Sequence, residues 1–182
     1  MRGGRCALLL LLLQFGRTGP VFGQAQAFVI PTLRPNIGVV SMGTGDRETG
    51  VALHLPIGAQ IGWSKGGLAR VFGPTPWVFP EVAYELRRTD HHRRDTFSAG
   101  LGFGYGVLLS AMVSYTPRIV VGSTSGTTSV GFRHSLGGHF IMSVICLELS
   151  HEVSRVHQIT GHDVQFTVGL NFGPLLLPLL WG

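Results

Sequence analysis

Charge, cysteine and long apolar runs are all scarce in this sequence. Only 13% of its 182 residues are charged although 45% are hydrophobic, an unusual balance for a soluble domain of this size. After the N-terminal segment, no apolar run approaches the roughly 20 residues of a membrane-spanning helix. Glycine is abundant, at 27 residues, but it follows no G-X-Y period, which excludes a collagen-like chain. So apolar a composition also argues against disorder, and we expect one folded domain.

The N-terminus predicts export through a cleaved signal peptide. Arg2 and Arg5 form a basic region, and a short apolar core follows at 7–13. Small residues around Ala25 and Ala27 predict cleavage after one of these two alanines. Because the core is far too short to span a membrane as a helix, we assign 1–27 to a signal peptide rather than to an anchor.

Removal of the signal peptide changes both the net charge and the cysteine count. Three of the 14 basic residues lie in it, so 11 basic and 9 acidic residues remain and the net charge falls from +5 to +2. The basic pI therefore gives no reason to expect a nucleic-acid partner. Cys146 is the single cysteine left, so no intramolecular disulfide can form despite the oxidising export route. No cofactor is expected.

The most regular feature of the chain is an alternation from Thr96 to Val107. Every second residue there is apolar or aromatic, and the residues between are Ser98 and four glycines. A period of two indicates a β-strand, since successive side chains leave a strand on opposite faces. A face with almost no side chains fits the narrow interior of a small closed barrel whose exterior meets lipid.

Alternation recurs along the chain and predicts eight strands, at about 28–42, 51–64, 77–87, 96–107, 109–122, 130–136, 139–153 and 164–172. Pro35 and Pro80 interrupt two of them, which a ladder tolerates only at bulges or strand ends. Polar loops are predicted at one end of the barrel, at 43–50, 87–95, 123–126 and 154–162. Short turns near 107–108 and 137–138 are predicted at the other end, together with a small excursion at 65–76. The predicted fold is all-β, a transmembrane antiparallel up-and-down β-barrel of about eight strands over 28–173, with a short apolar tail at 174–182.

With this signal peptide, these eight segments and a last strand, Val164 to Phe172, that ends on an aromatic residue, the chain resembles the small eight-stranded outer-membrane β-barrel proteins of Gram-negative bacteria. The resemblance covers about 26–173. It implies a monomer in the cell outer membrane, in contact with outer-membrane lipid and lipopolysaccharide. Val168, Leu170 and Phe172 look like the terminal-strand signal that such barrels present to the barrel assembly machinery. The tail departs from the family, whose members usually stop at the aromatic residue.

The alternation also predicts which charged side chains enter the barrel. Glu81, Glu85, Arg133 and Glu148 fall on the inward face, as does His54. Buried charges are costly unless they are paired, so we predict a Glu/Arg network that closes the lumen. The alternative is a narrow pore for small solutes, for which the many interior glycines would leave room.

Arginines and histidines cluster in the predicted loops. Arg87, Arg88, Arg93 and Arg94 predict an external basic loop, and the fork geometry of arginine suits the phosphates of lipopolysaccharide. Two sets of histidines invite a metal-site interpretation, namely His91 and His92, and His151, His157 and His162. Their spacing is poor and they fall in or beside loops, so we interpret them as solvated loop residues and predict no metal site.

One segment is faintly similar to the lipid A deacylase barrels. It contains His134 and Ser135, with Glu148 available as an orienting acid. Those enzymes place histidine and serine two residues apart on one lipid-facing side, whereas adjacent residues of a strand point to opposite faces. We therefore predict a non-enzymatic integral outer-membrane barrel, with a structural or interaction role through external loops and lipid contact. The alternative is a lipid A-modifying hydrolase.

Overall fold

The computed structural model describes residues 26–43, 47–64, 74–107, 110–124, 126–156 and 159–174. The predictions made for the signal peptide before residue 26, for most of the 65–76 excursion and for the tail after residue 174 lie outside these ranges.

The described residues form nine antiparallel strands that close into a ring of eight. The strands are β1 (Gln26–Leu33), β2 (Asn36–Gly43), β3 (Arg47–Ser64), β4 (Thr75–Arg88), β5 (Arg93–Gly106), β6 (Ala111–Thr124), β7 (Thr127–Phe140), β8 (Ile145–Val156) and β9 (Ile159–Leu170). β1 and β2 pair with the two halves of β3 and together take one position in the ring. Each later strand pairs with the next, and β9 pairs with β2 to close the barrel. The predicted eight-stranded up-and-down topology is confirmed.

Three prolines lie where a strand or a ladder is interrupted. Pro35 follows β1 and separates it from β2. The β3–β4 ladder skips the positions beside Pro80, and the β5–β6 ladder skips those beside Pro117. Proline has no N–H to donate, so the hydrogen bond missing at each interruption is one that the proline could not have formed.

Within the described ranges, no helix is long and apolar enough to cross a membrane.

The two ends of the barrel differ in their connections. The hairpin end carries the β2–β3, β4–β5, β6–β7 and β8–β9 connections, and the terminal end carries the start of β1 and the end of β9. The strands run further toward the hairpin end than predicted. β4 continues to Arg88 and β5 already begins at Arg93, which shortens the predicted 87–95 loop to four residues.

The turn predicted near 137–138 is wrong. Gly137 and Gly138 both lie inside β7, and the turn before β8 is formed by 141–144. The glycine is needed for packing rather than for a turn, since a Cβ at Gly137 would lie 2.5 Å from the Ser114 hydroxyl oxygen. In the turn itself, Ile141 and Met142 have positive φ angles of 50° and 58°.

The barrel is apolar outside and polar inside. Among the described residues, 29 polar or charged residues are buried against nine hydrophobic ones, the reverse of a soluble protein core. Large hydrophobic side chains face outward with high exposure, such as Val113 at 67% and Phe97 at 64%. The small apolar cluster inside lies toward the terminal end and consists of Ile30, Trp77, Phe79 and Met112.

Candidate functional site: the charged lumen and the outer rim

Ten charged side chains meet inside the barrel, and their charges balance within two clusters. The six-residue cluster lies toward the hairpin end and contains Arg87, Arg94, Arg133, Glu85, Glu152 and Asp163. The four-residue cluster contains Arg34, Arg118, Glu81 and Glu148. All ten residues are buried. With three arginines against three acids, and two against two, neither cluster leaves a net charge in the lumen.

Shared carboxylates hold the six-residue cluster together. Glu152 accepts hydrogen bonds from Arg87, Arg94 and Arg133, each at 2.7 Å. One carboxylate oxygen of Asp163 accepts from Arg87 at 2.6 Å and from Arg94 at 2.7 Å. Glu85 accepts from Arg133 at 2.9 and 3.0 Å and from the Gln165 amide at 2.8 Å. The cluster therefore ties β4, β5, β7, β8 and β9 across the barrel interior.

Arg118 organises the four-residue cluster. It donates to Glu81 at 2.7 Å and to Glu148 at 2.5 Å, and Ser135 accepts a third hydrogen bond at 2.5 Å. Arg34 donates to the second oxygen of Glu81. Because Arg118 is the only described cation paired with Glu148, its removal would leave a buried carboxylate without a counter-ion.

The structure brings the predicted lumen residues into these two clusters. Glu85 and Arg133 pair directly, whereas Glu81 and Glu148 both bind Arg118. Sequence reasoning missed six of the ten members: it did not single out Arg34, Arg118, Glu152 and Asp163, and it assigned Arg87 and Arg94 to an external loop. Arg118 and Gln165 occupy inward positions of alternating strands, so the alternation alone places both side chains in the lumen. Their partners across the lumen lie 30 or more positions away, which alternation does not reveal.

Half of the predicted external basic loop is wrong. Arg87 and Arg94 are 0% and 8% exposed and belong to the six-residue cluster. The physical reason is strand parity. β4 continues past Glu85, so residue 87 still points inward, and residue 94 is inward on β5 for the same reason. Arg88 and Arg93, at the outward positions, are exposed.

The outer rim lies around the β4–β5 connection and consists of the exposed Arg88, His92 and Arg93, the half-buried Glu48 and the buried Thr89. The Thr89 hydroxyl donates to Glu48 at 2.6 Å, and His92 lies 3.2 Å from the same oxygen. These hydrogen bonds, Thr89 first, hold the pKa of Glu48 below its ordinary value. The rim therefore carries a charged carboxylate in addition to the exposed Arg88 and Arg93.

His54 lies inside the barrel on β3, where it was predicted. It is 2% exposed, and neither ring nitrogen has a hydrogen-bond partner in the part of the chain that the structure describes. Glu85 and Arg133 of one cluster and Glu148 and Arg118 of the other act on it electrostatically, so it lies between the two clusters.

A chain of polar contacts runs along the inner wall toward the terminal end, from β6 through β7 to β8. His139 Nε2 lies 2.9 Å from the Ser114 hydroxyl, and Cys146 Sγ lies 3.4 Å from His139 Nδ1. Phe79 stacks on the His139 ring at 5.4 Å between centroids. The thiol is 3% exposed, so this group is packed into the interior rather than open to substrate.

Cys146 provides a reporter of barrel closure. We expect it to resist maleimide while the barrel is folded and to label fully after boiling in SDS, because a buried thiol is inert. A matched control carries Cys146→Ser with Thr128→Cys, which places the thiol at an exposed outward position of β7. Rapid labelling of native Cys146, at the rate of the exposed control, would contradict the closed lumen.

The residues of the hydrolase alternative do not converge. His134 is exposed on the outside, 2.5 Å from the Tyr115 hydroxyl, whereas Ser135 is buried inside and binds Arg118. Glu148 is paired with Arg118 as well. His134 and Ser135 thus lie on opposite faces of β7, and these three side chains form no triad.

Two histidines of the second predicted set, His151 and His162, are not loop residues. His151 and His162 lie in β8 and β9 with stacked rings, and His157 lies outside the described ranges. His91 and His92 are exposed at the β4–β5 connection. Among described residues, no group of three or more histidine, cysteine or acidic side chains has the arrangement of a metal site.

The residues of the terminal-strand signal form an outward row. Val168, Leu170 and Phe172 are exposed at 41%, 49% and 40%. The Phe172 amide donates to the Leu33 carbonyl at 3.0 Å, which extends the closing seam beyond β9. Recognition of this row by an assembly machinery stays a prediction.

Comparison with known proteins gives little beyond this geometry. No protein-family profile matches the chain, and no curated protein matches it. Among solved structures, it is similar to Ail, the attachment invasion locus protein of Yersinia pestis, at 12% identity and a TM-score of 0.29, over 84% of this chain and 100% of that one. A second structure of Ail, in complex with the heparin analogue sucrose octasulfate, matches at 10% identity and a TM-score of 0.33, over 82% and 99% of the two chains. These values are too low for any property of Ail to be transferred to this chain.

Proposed function

We propose that this protein is a non-catalytic, integral outer-membrane β-barrel that acts through its outer rim and its contact with lipid. The supporting observation is the inverted distribution of polarity, with charge paired inside and large apolar side chains exposed outside. In water, this exterior would be one large exposed apolar surface, whereas in a bilayer the same side chains meet hydrocarbon.

The dimensions and edges of the exterior support the same proposal. β4 to β7 have 14 residues each, against the roughly 9–11 that a tilted strand needs to cross hydrocarbon. Outward polar residues gather toward the hairpin end: Ser41, Thr49, Arg88, Arg93, Ser123, Thr128, Arg155 and Thr160. Four of the outward aromatic residues lie toward the terminal end, which are Trp63, Tyr105, Phe140 and Phe172, and others, such as Tyr84 and Phe97, lie further along the strands. An apolar band between a polar edge and an aromatic girdle is typical of a membrane barrel.

The paired lumen favours a structural role for the interior. Arg87, Arg118 and Arg133 are at most 2% exposed and fill the space between opposite walls. Because side chains fill the eight-stranded interior, the structure does not support the passage of solutes, and we do not propose a pore.

Fractionation of a Gram-negative host tests the location. We expect the protein in the outer-membrane fraction and resistant to extraction by alkaline carbonate, because its apolar belt is held in hydrocarbon. Recovery in the soluble periplasmic fraction, or release by carbonate, would overturn the proposal.

We also propose that the signal peptide is cleaved after Ala25 or Ala27 on export and that the assembly machinery recognises Val168, Leu170 and Phe172. Intact mass should then place the mature N-terminus at Gln26 or Phe28.

Lipopolysaccharide is the proposed partner of the outer rim. Arg88 and Arg93 are cross-strand partners at outward positions of β4 and β5, and Arg93 also pairs with Asp95 at 3.3 Å. Two adjacent guanidinium groups on the outward side of the rim suit the phosphates of the outer leaflet.

Replacing both rim arginines should weaken lipopolysaccharide binding. Because each exposed pair contributes up to about 1 kcal/mol, the Arg88→Gln/Arg93→Gln double variant should bind about tenfold more weakly. The assay is titration of the refolded barrel with lipopolysaccharide in detergent. Arg88→Lys/Arg93→Lys is the control, because it keeps the positive charge and loses the fork geometry of the guanidinium group. Its affinity for lipopolysaccharide should lie between those of the wild type and the glutamine variant. Equal affinity of the glutamine variant and the wild type would refute this contact.

A further inference from the structure

The outward faces of β8 and β9 carry a pair of histidines in contact. His162 Nδ1 lies 3.4 Å from His151 Nε2, and the two rings stack at 5.6 Å between centroids with 13° between their planes. Val164 faces His151 and Val153 faces His162 in the ladder, so the histidines are diagonal neighbours on one face. Both rings are exposed on the outside of the barrel.

We propose that His151 and His162 form a two-histidine binding site for a borderline transition-metal ion such as Zn²⁺. Imidazole nitrogen is a preferred ligand of zinc, nickel and copper ions, whereas magnesium and calcium prefer oxygen. His162 pairs with Gly43 at the end of β2, and Val164, which faces His151, pairs with Ser41, so the two histidines lie toward the polar hairpin edge, where water can complete the coordination. Nothing in the proposed membrane role requires this site.

The distance between the facing nitrogens suits a shared metal ion. Zn–N bonds of about 2.0–2.1 Å at a tetrahedral angle place two ligand nitrogens about 3.3 Å apart. The observed 3.4 Å is close to that value and longer than an ordinary N–H···N hydrogen bond. An ion therefore needs the ring nitrogens to turn toward it but needs no movement of the strands.

The site lies at the strand that closes the barrel. β9 pairs with β8 on one side and with β2 on the other, so an ion between His151 and His162 would link β8 to the closing strand. A ligand that binds only the folded state stabilises it by mass action, so zinc should raise the temperature at which the barrel unfolds.

Calorimetric titration of the refolded barrel with zinc chloride tests the site. We expect one zinc ion per chain, and we expect His151→Gln or His162→Gln to weaken binding about tenfold or more, since each removes one of two ligands. His91→Gln is the matched control, because it removes an exposed histidine that lies outside the pair and should leave zinc affinity unchanged. Absence of saturable binding, or equal binding by the wild type and both site variants, would overturn the proposal.

A second readout does not depend on the variants folding. In wild-type barrel with ¹⁵N-labelled histidine, zinc should shift the ring resonances of two histidines, assigned to positions 151 and 162. Shifts confined to other histidines, or no shifts at saturating zinc, would contradict the site.

The unfolding temperature in SDS gives a third readout. It should rise with zinc in the wild type and in His91→Gln and stay constant in either site variant.

Discussion

Replacing Arg118 by methionine is expected to destabilise the barrel by about 3–5 kcal/mol, the cost of leaving buried charge without its partner. Arg118 is the described cation bound to Glu148, and it shares Glu81 with Arg34. Its loss would therefore leave Glu148 unpaired and Ser135 without its charged donor. Urea-induced unfolding from phospholipid vesicles, followed by gel mobility in cold SDS, gives the difference.

A charge-balanced double variant separates this effect from simple loss of packing. In Arg118→Met/Glu148→Met, Arg34 and Glu81 remain as a neutral pair, so most of the lost stability should return. Arg88→Met is the matched exposed control and should change stability little, since it removes a rim arginine that is outside both clusters. A double variant as unstable as Arg118→Met alone would mean that charge pairing is not what the interior network contributes.

Placing a charge on the outer surface is expected to be nearly as damaging. Ile119 is 61% exposed in β6, opposite Phe132 and Ala99 in the neighbouring strands. In a bilayer, Ile119→Arg should cost about 2–4 kcal/mol, because the guanidinium would enter hydrocarbon. The same unfolding assay measures it.

Because Ile119 lies on the outer surface, its substitution distinguishes a surface that faces lipid from one that faces water. On a soluble protein, arginine at such a site would change stability by at most about 0.5 kcal/mol. Ser123→Arg, toward the polar edge of the same strand, is the control and should cost about 0–1 kcal/mol. Equal, small effects at both positions would contradict a lipid-facing surface.

Alternation was enough to predict the barrel and the direction of most side chains. A period of two depends only on strand geometry, so Glu81, Glu85, Arg133 and Glu148 could be assigned to the interior without knowing their neighbours. Strand ends were harder to predict. The arginine pairs at 87–88 and 93–94 have the composition of a loop, yet the strands continue through them and send one arginine of each pair inward.

Contacts across the lumen could not be predicted from one sequence. Arg118 meets Glu148 and Arg87 meets Asp163 because the barrel closes, and these pairs are 30 and 76 residues apart. The pair of His151 and His162 depends in the same way on the β8–β9 register. The role of a glycine could not be predicted either, because a turn and a close approach of a neighbouring side chain both favour this residue. Gly137 was predicted in a turn and instead makes room for Ser114.

Gel mobility of the membrane-extracted protein, with and without boiling, tests the central claim most directly. A closed barrel with an apolar exterior should stay folded in cold SDS and run at a shifted position until it is boiled, after which it should run at its full mass. One identical band before and after boiling, from protein that is soluble without detergent, would contradict both the lipid-facing exterior and the locked interior.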